Sequence, residues 1–138
     1  MTPSVIRTQL ISHEGLRLKP YRCTSGKLTI GVGRNLEARG LSEEEALLLL
    51  DNDIAICVND LQEIFAGSFW RSPEIVQRVL IDMRFNLGSS GFRGFKKMIK
   101  AVKAHDFNTA AVEMQDSNWF VQVKDRGITL VEMMLKAA

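Results

Sequence analysis

The most constraining feature of this sequence is a helical repeat that opens at Ser42. Ser42 and Glu45 are spaced as a capping box, in which the serine hydroxyl and the glutamate carboxylate each accept an N–H at the start of a helix. Ala46, Leu50, Ile54, Cys57 or Val58, Leu61 and Phe65 then recur at helical intervals, which predicts one long helix from about 43 to 64. With 138 residues the chain is of single-domain length and can bury one core. The long helix therefore joins whatever precedes it to whatever follows it. A composition shift near residue 42 reads as a lobe boundary inside one domain, 1–138.

Ahead of that helix, Thr2 and Pro3 read as N-cap and first helical residue. Ile6, Leu10 and Glu14 fall four apart on one face of a short helix that Gly15 ends. The pattern then changes: Tyr21, Leu28, Thr29, Ile30 and Val32 are strand formers, and Thr24, Ser25 and Gly26 supply a turn. Residues 16–33 thus predict a hairpin with room for a third short strand. Beyond the long helix, 67–72 reads as a loop and Pro73 as a first helical residue, and Ile75, Val79, Met83 and Asn86 mark one face of a buried helix that stops at Gly88. Residues 89–94 read as a loop, 95–103 as an amphipathic helix with its basic side chains outward, and Asp106 as the cap of a short helix through Ala110, Ala111 and Met114. Two more short helices close the chain, with Met133 and Met134 as core filler. The expected class is α+β with helices dominant: a small hairpin lobe at about 15–41, the linking helix, and a helical lobe at about 65–138 that includes helix 1.

Lys and Arg number 18 against 16 Asp and Glu, a net charge of +2 that is too small to predict nucleic-acid binding. Residues 1–69 hold 7 basic and 9 acidic side chains and residues 70–138 hold 11 and 7, so the second half is the basic one. Its stripe of Arg93, Lys96, Lys97, Lys100 and Lys103 reads either as a solvated helix face or as an attractor of anionic wall polymers or lipopolysaccharide. Without interleaved aromatics it does not suit nucleic acid. Two cysteines, Cys23 and Cys57, are too few for a disulfide scaffold, and the two histidines lie far apart, so no metal or cofactor is expected. The longest apolar run, Ala46 to Leu50, is five residues against the roughly 20 that span a bilayer. No stable membrane insertion and no secretory signal are expected.

Glu14 is the first candidate for chemistry. At the C-terminal end of a helix the partial negative charge of the dipole disfavours a carboxylate, and a glutamate held as the acid can give up a proton. The bland alternative is an exposed last-turn residue. His13 is set aside because adjacent helical residues do not face each other.

The segment EGLRLKPYRCTSGKLTIGVG, from Glu14, resembles the start of the phage T4-type lysozymes, the endolysin family that cleaves peptidoglycan. In that family a glutamate, eight residues, an aspartate or cysteine, five residues and a threonine form the catalytic set. Glu14, Cys23 and Thr29 stand at that spacing. RFNLGSSGFRGF, residues 84–95, is similar to the helix end and Gly-Phe turn of the family's large lobe, and SNWFVQVKDR, residues 117–126, to its tryptophan followed seven residues on by an arginine. The resemblance implies a lysozyme-like fold with a cleft between lobes, a polar cleft-lining role in substrate binding for Asn86, and for Arg126 a pairing with the catalytic glutamate.

Glycoside hydrolysis ordinarily uses two carboxylates, one as acid and one as base or nucleophile. No Asp or Glu lies between Glu14 and Glu37, so the second role falls to Cys23, whose thiolate serves if Arg22 or Arg126 depresses its pKa. Otherwise Cys23 is a half-buried inert thiol. Thr29 orients the water through its hydroxyl. Two departures from the family stand out. The connection RNLEARGL between Gly33 and Ser42 is short, which trims the small lobe, and Arg34 replaces a histidine, with Asp53 as its candidate partner or else two independent surface charges. The resemblance implies a monomeric muramidase that hydrolyses the β-1,4 bond between N-acetylmuramic acid and N-acetylglucosamine in the glycan strands of peptidoglycan. It waits in the host cytoplasm and reaches the periplasmic wall through a holin to cause lysis. The rival reading is a weak or inactive muramidase-fold module of a virion or cell envelope.

Overall fold

Pro3, with its fixed φ and no N–H to leave unpaired, sits at the first position of helix α1 (Pro3–Glu14). Thr2 is at the N-cap position but caps through its backbone: its carbonyl accepts from Val5, while its hydroxyl faces Ser4. The computed structural model describes residues 2–138. After α1 come strands β1 (Arg17–Arg22), β2 (Leu28–Gly31) and β3 (Arg34–Asn35), then helices α2 (Glu43–Phe65), α3 (Ser68–Arg71), α4 (Glu74–Arg93), α5 (Lys96–Lys103), α6 (Phe107–Gln115), α7 (Asn118–Val123) and α8 (Asp125–Lys136). The class is α+β with helices dominant, as the periodicities require. Two compact units divide at Leu48 and Leu49.

In the first unit, Gly15 at φ 79° ends α1 and sends the chain into an antiparallel sheet of order β1-β2-β3. Tyr21 pairs with Thr29, Arg22 with Leu28, and Thr29 in turn with Asn35. The β1–β2 register slips between Arg17 and Tyr21, where Pro20 lacks the N–H that a ladder needs, a fault an edge strand tolerates. The capping box forms as expected: Glu45 N–H donates to Ser42 Oγ and Ser42 N–H to Glu45 Oε1. Arg34 is tied to α2 through Glu45, with contacts of 2.9 and 2.6 Å, and not through Asp53. The short 36–42 connection brings β3 to the first turn of the helix, and Gly40 O takes a third guanidinium bond at 3.0 Å.

The second unit holds the core. Leu61 and Phe65 of α2, Val79 and Met83 of α4, Met114 of α6 and Met134 of α8 are all buried there, with Met133 partly buried against them. Two segments expected as loops are helical. Ser68–Arg71 forms a turn that buries Phe69, and α4 resumes after a break at Gly88 (φ 77°, ψ 172°) to bury Phe92 edge-on to Phe65, ring centroids 6.1 Å apart. Glycine's free access to positive φ changes the chain direction without ending the element. Pro73 stands at the N-cap of α4, one position ahead of the expected place. Asp106 caps α6, accepting from Thr109 N.

Candidate active site

Glu14, the last residue of α1, is exposed, and its carboxyl lies against Gly33. A Cβ placed on Gly33 would come within 2.9 Å of Glu14 Oε2, and its φ of 66° is one that L side chains rarely adopt. The glycine at the end of the TIGVG run therefore leaves room for this carboxyl. Gly33 also lines a groove of about 310 Å³ with Ile30, Arg39 and the Arg34–Glu45 pair.

Cys23 and Thr29 meet at the other end of β2. Cys23 N–H donates to Lys27 O, closing the turn that Thr24, Ser25 and Gly26 make, and Cys23 Sγ lies 3.1 Å from Ser25 Oγ. The Ser25 hydroxyl and the backbone of Lys27 and Ser25 stabilise the thiolate and pull the Cys23 pKa down to about 7. Thr29, the one buried residue of the hairpin, donates its hydroxyl to Lys27 O at 2.8 Å. The depression does not come from Arg22, which is committed to Glu37 at 2.9 Å and to Gly26 O. Ser25 was read as a turn former, and its contact with the thiol was missed; the Cys-x-Ser spacing inside a tight turn is the signal that carried it.

Asn86 and Arg126 belong to the second unit, and each has a partner there. Asn86 is exposed, but its Oδ1 accepts from the indole of buried Trp119 at 2.9 Å. Arg126 Nε donates to Asp82 Oδ1 at 2.8 Å, with both side chains about two-fifths exposed. This pair lies on an apolar groove of about 640 Å³ that Leu50, Ile54, Ile81, Phe85, Leu130 and Met133 line. The sequence reading also missed an ion cluster: Asp60, 11% exposed, takes Arg84 at 2.6 Å and Arg93 at 2.5 Å. Among the described residues no group of three or more His, Cys, Asp and Glu side chains is placed to hold a metal ion.

Residues 11–131 match the family model described as phage lysozyme. The chain is 28% identical over 149 residues to the pre-baseplate central spike protein Gp5 of Enterobacteria phage T4, a match that covers 88% of this chain and 26% of that protein, so the chain spans about a quarter of that relative's length. It is 23% identical over 159 residues to the protein named probable T4-type lysozyme 2 of Dictyostelium discoideum, covering 94% of this chain and 93% of that one. The same organism's probable T4-type lysozyme 1 is also 23% identical, with 95% and 94% covered.

Proposed function

The chain belongs to the phage lysozyme family, with a lysozyme-like α+β fold, and from that premise we propose that it is a muramidase of bacterial peptidoglycan in which Glu14 is the general acid. Family membership and the T4-type lysozyme relatives support a muramidase-like function. The observation that carries the finer reading is the hairpin: the family's Glu, Cys and Thr spacing falls on one folded unit, with the carboxyl accommodated by Gly33 and the thiol held by Ser25 and Lys27.

The reaction follows from these groups. A β-1,4-linked glycan strand is cleaved between N-acetylmuramic acid and N-acetylglucosamine as Glu14 gives its proton to the leaving oxygen. Water takes the freed anomeric carbon and loses its proton to the Cys23 thiolate, a form well populated near pH 7 because its pKa is about 7. Thr29, with its proton on Lys27 O, offers oxygen lone pairs that orient the water. Asn86 and Arg126 are the substrate-binding residues of this reading, each steadied by its own partner, Trp119 and Asp82. The protein acts as a monomer on the wall, reaching it through a holin and lysing the host.

Turbidity clearing of outer-membrane-stripped Gram-negative walls tests this, with circular dichroism confirming that each variant folds. Glu14→Gln removes the general acid and loses about 10²- to 10⁴-fold in clearing rate. Cys23→Ser loses activity too if the thiolate takes the water's proton; clearing kept in Cys23→Ser reduces the thiol to a bystander. The likeness to a phage spike protein favours a second reading, a domain carried in a virion. If that domain serves only in binding, the folded protein clears no walls and Glu14→Gln changes nothing.

A further inference from the structure

We propose, on the reading of Asn86 as a substrate-binding residue, that Trp119 is a positioning residue for it. The indole fixes the Asn86 amide so that both N–H donors face outward and select the carbonyl of an N-acetyl group on the glycan. Asn86 is exposed and lies two residues ahead of the Gly88 break in α4, whereas Trp119 in α7 is 4% exposed. The indole Nε1 donates to Asn86 Oδ1 at 2.9 Å.

The direction of the amide follows from its partner. An indole has one donor and no acceptor, so only the oxygen of Asn86 can meet it. Turning the amide over would leave a buried N–H without an acceptor, at a cost no exposed amide recovers. The ring is held as well: it packs edge-on to Phe95 with centroids 6.0 Å apart, and Ser117, the N-cap of α7, accepts from Phe120 N and donates to Met114 O. The oxygen is thus turned to the protein and the nitrogen away from it. Among the described residues Asn86 Nδ2 has no hydrogen-bond partner.

The chemistry selects the group that is bound. Two fixed N–H donors take an acceptor and turn away a donor. A sugar hydroxyl both donates and accepts, so either face of an amide would satisfy it. A carboxylate is met more strongly by a cation such as arginine. A neutral carbonyl needs the orientation seen here, and the acetamido groups of N-acetylglucosamine and N-acetylmuramic acid supply one on every sugar of the strand. Because the indole already holds the side chain, binding does not have to order it.

The test is initial-rate kinetics on soluble, un-cross-linked peptidoglycan strands, with circular dichroism on every variant and exchange of the Trp119 indole proton followed by NMR. Asn86→Ala raises KM about two- to tenfold, the worth of one hydrogen bond, and leaves kcat near the wild type. Asn86→Asp still accepts from the indole, whose proton stays protected, but presents no donor, and KM rises at least as far. Trp119→Phe keeps a ring and removes the donor. It raises KM about two- to fivefold alone and not at all in the Asn86→Ala background, since the indole acts through the amide. The KM ratio of Asn86→Ala to wild type is kept on strands stripped of stem peptides and falls toward one on partly de-N-acetylated strands. An unchanged KM in Trp119→Phe, or the same rise in both backgrounds, overturns the positioning role while Asn86 stays a binding residue. A wild-type KM in Asn86→Asp overturns the donor assignment, and a ratio of one on peptide-free strands overturns the acetamido group. An unchanged KM in Asn86→Ala removes Asn86 from substrate binding, and a folded wild type that cleaves no strand removes the muramidase reading; either takes the proposal with it.

Discussion

Ser25 touches the Cys23 thiol at 3.1 Å, and that hydroxyl is the largest cause of the cysteine's low pKa of about 7. A hydroxyl that donates to a thiolate favours the charged form, so its removal returns the thiol toward the ordinary value near 8.5. If the thiolate accepts the water's proton, clearing activity rises with pH through about 7, and Ser25→Ala moves that limb upward. The loss is several-fold at neutral pH and disappears above about pH 9, where the thiol is ionised in either protein. Alkylation of Cys23 followed against pH reads the same shift without relying on catalysis. An unmoved alkylation profile in Ser25→Ala removes Ser25 from this role; a moved one with an unmoved activity profile removes Cys23 from the mechanism.

At the scale of elements, α2 is tied to both sides of the Gly88 break in α4 through Asp60. Burial alone would raise the Asp60 pKa, but hydrogen bonds from Ser89, Arg84 and Arg93 outweigh it and hold the carboxyl at about 2. That is below the unfolded value near 3.9, so the pair stabilises the fold above about pH 4 and its contribution fades as pH falls toward 2. Asp60→Ala leaves the 13%-exposed Arg84 side chain without its carboxylate and costs about 3 kcal/mol in urea unfolding, the low end for a broken buried pair because Arg93 is half exposed. Asp82→Ala, which breaks a pair whose side chains are 41% and 42% exposed, costs about 0–1 kcal/mol. Equal costs would contradict this ranking by burial. The elements legible in the sequence were those written locally: the capping box, Pro3 with Gly15, and Asp106 before Thr109. The turns at 68–71 and 89–93 were not, because what makes them helical is the burial of Phe69 and Phe92 against a core assembled from distant segments. The site divides in the same way. Glu14 at the end of α1 and Cys23 and Thr29 in the hairpin are candidates through their resemblance to the family's spacing, while the partners of Asn86 and Arg126 lie 33 and 44 residues away and leave no local trace.

Over the whole molecule the two units differ in what holds them. Residues 49–138 enclose an apolar core that draws on seven helices, α2 to α8, with Phe69, Val79, Leu80, Met83 and Phe92 fully buried. Among the described residues of the first unit only Thr29 is buried, and α1 buries none of its side chains. Order there comes from strand pairing, from the Arg34–Glu45 and Arg22–Glu37 pairs and from the capping box. Exposed ion pairs contribute little each, so this unit should open at a lower free energy than the core. Hydrogen exchange is the measurement: amides of β1 and β2 exchange well before those of α4, α6 and α8. If the glycan is held by Glu14, Cys23 and Thr29, which all lie on the more labile unit, it gains contacts only when that unit is folded and stabilises the folded form by mass action. An oligosaccharide of N-acetylglucosamine added to Glu14→Gln, which does not consume it, therefore slows exchange at residues 16–41 more than in α6. Uniform protection of both units without ligand would contradict the difference in burial, and protection gained only in the second unit would move glycan binding away from the hairpin.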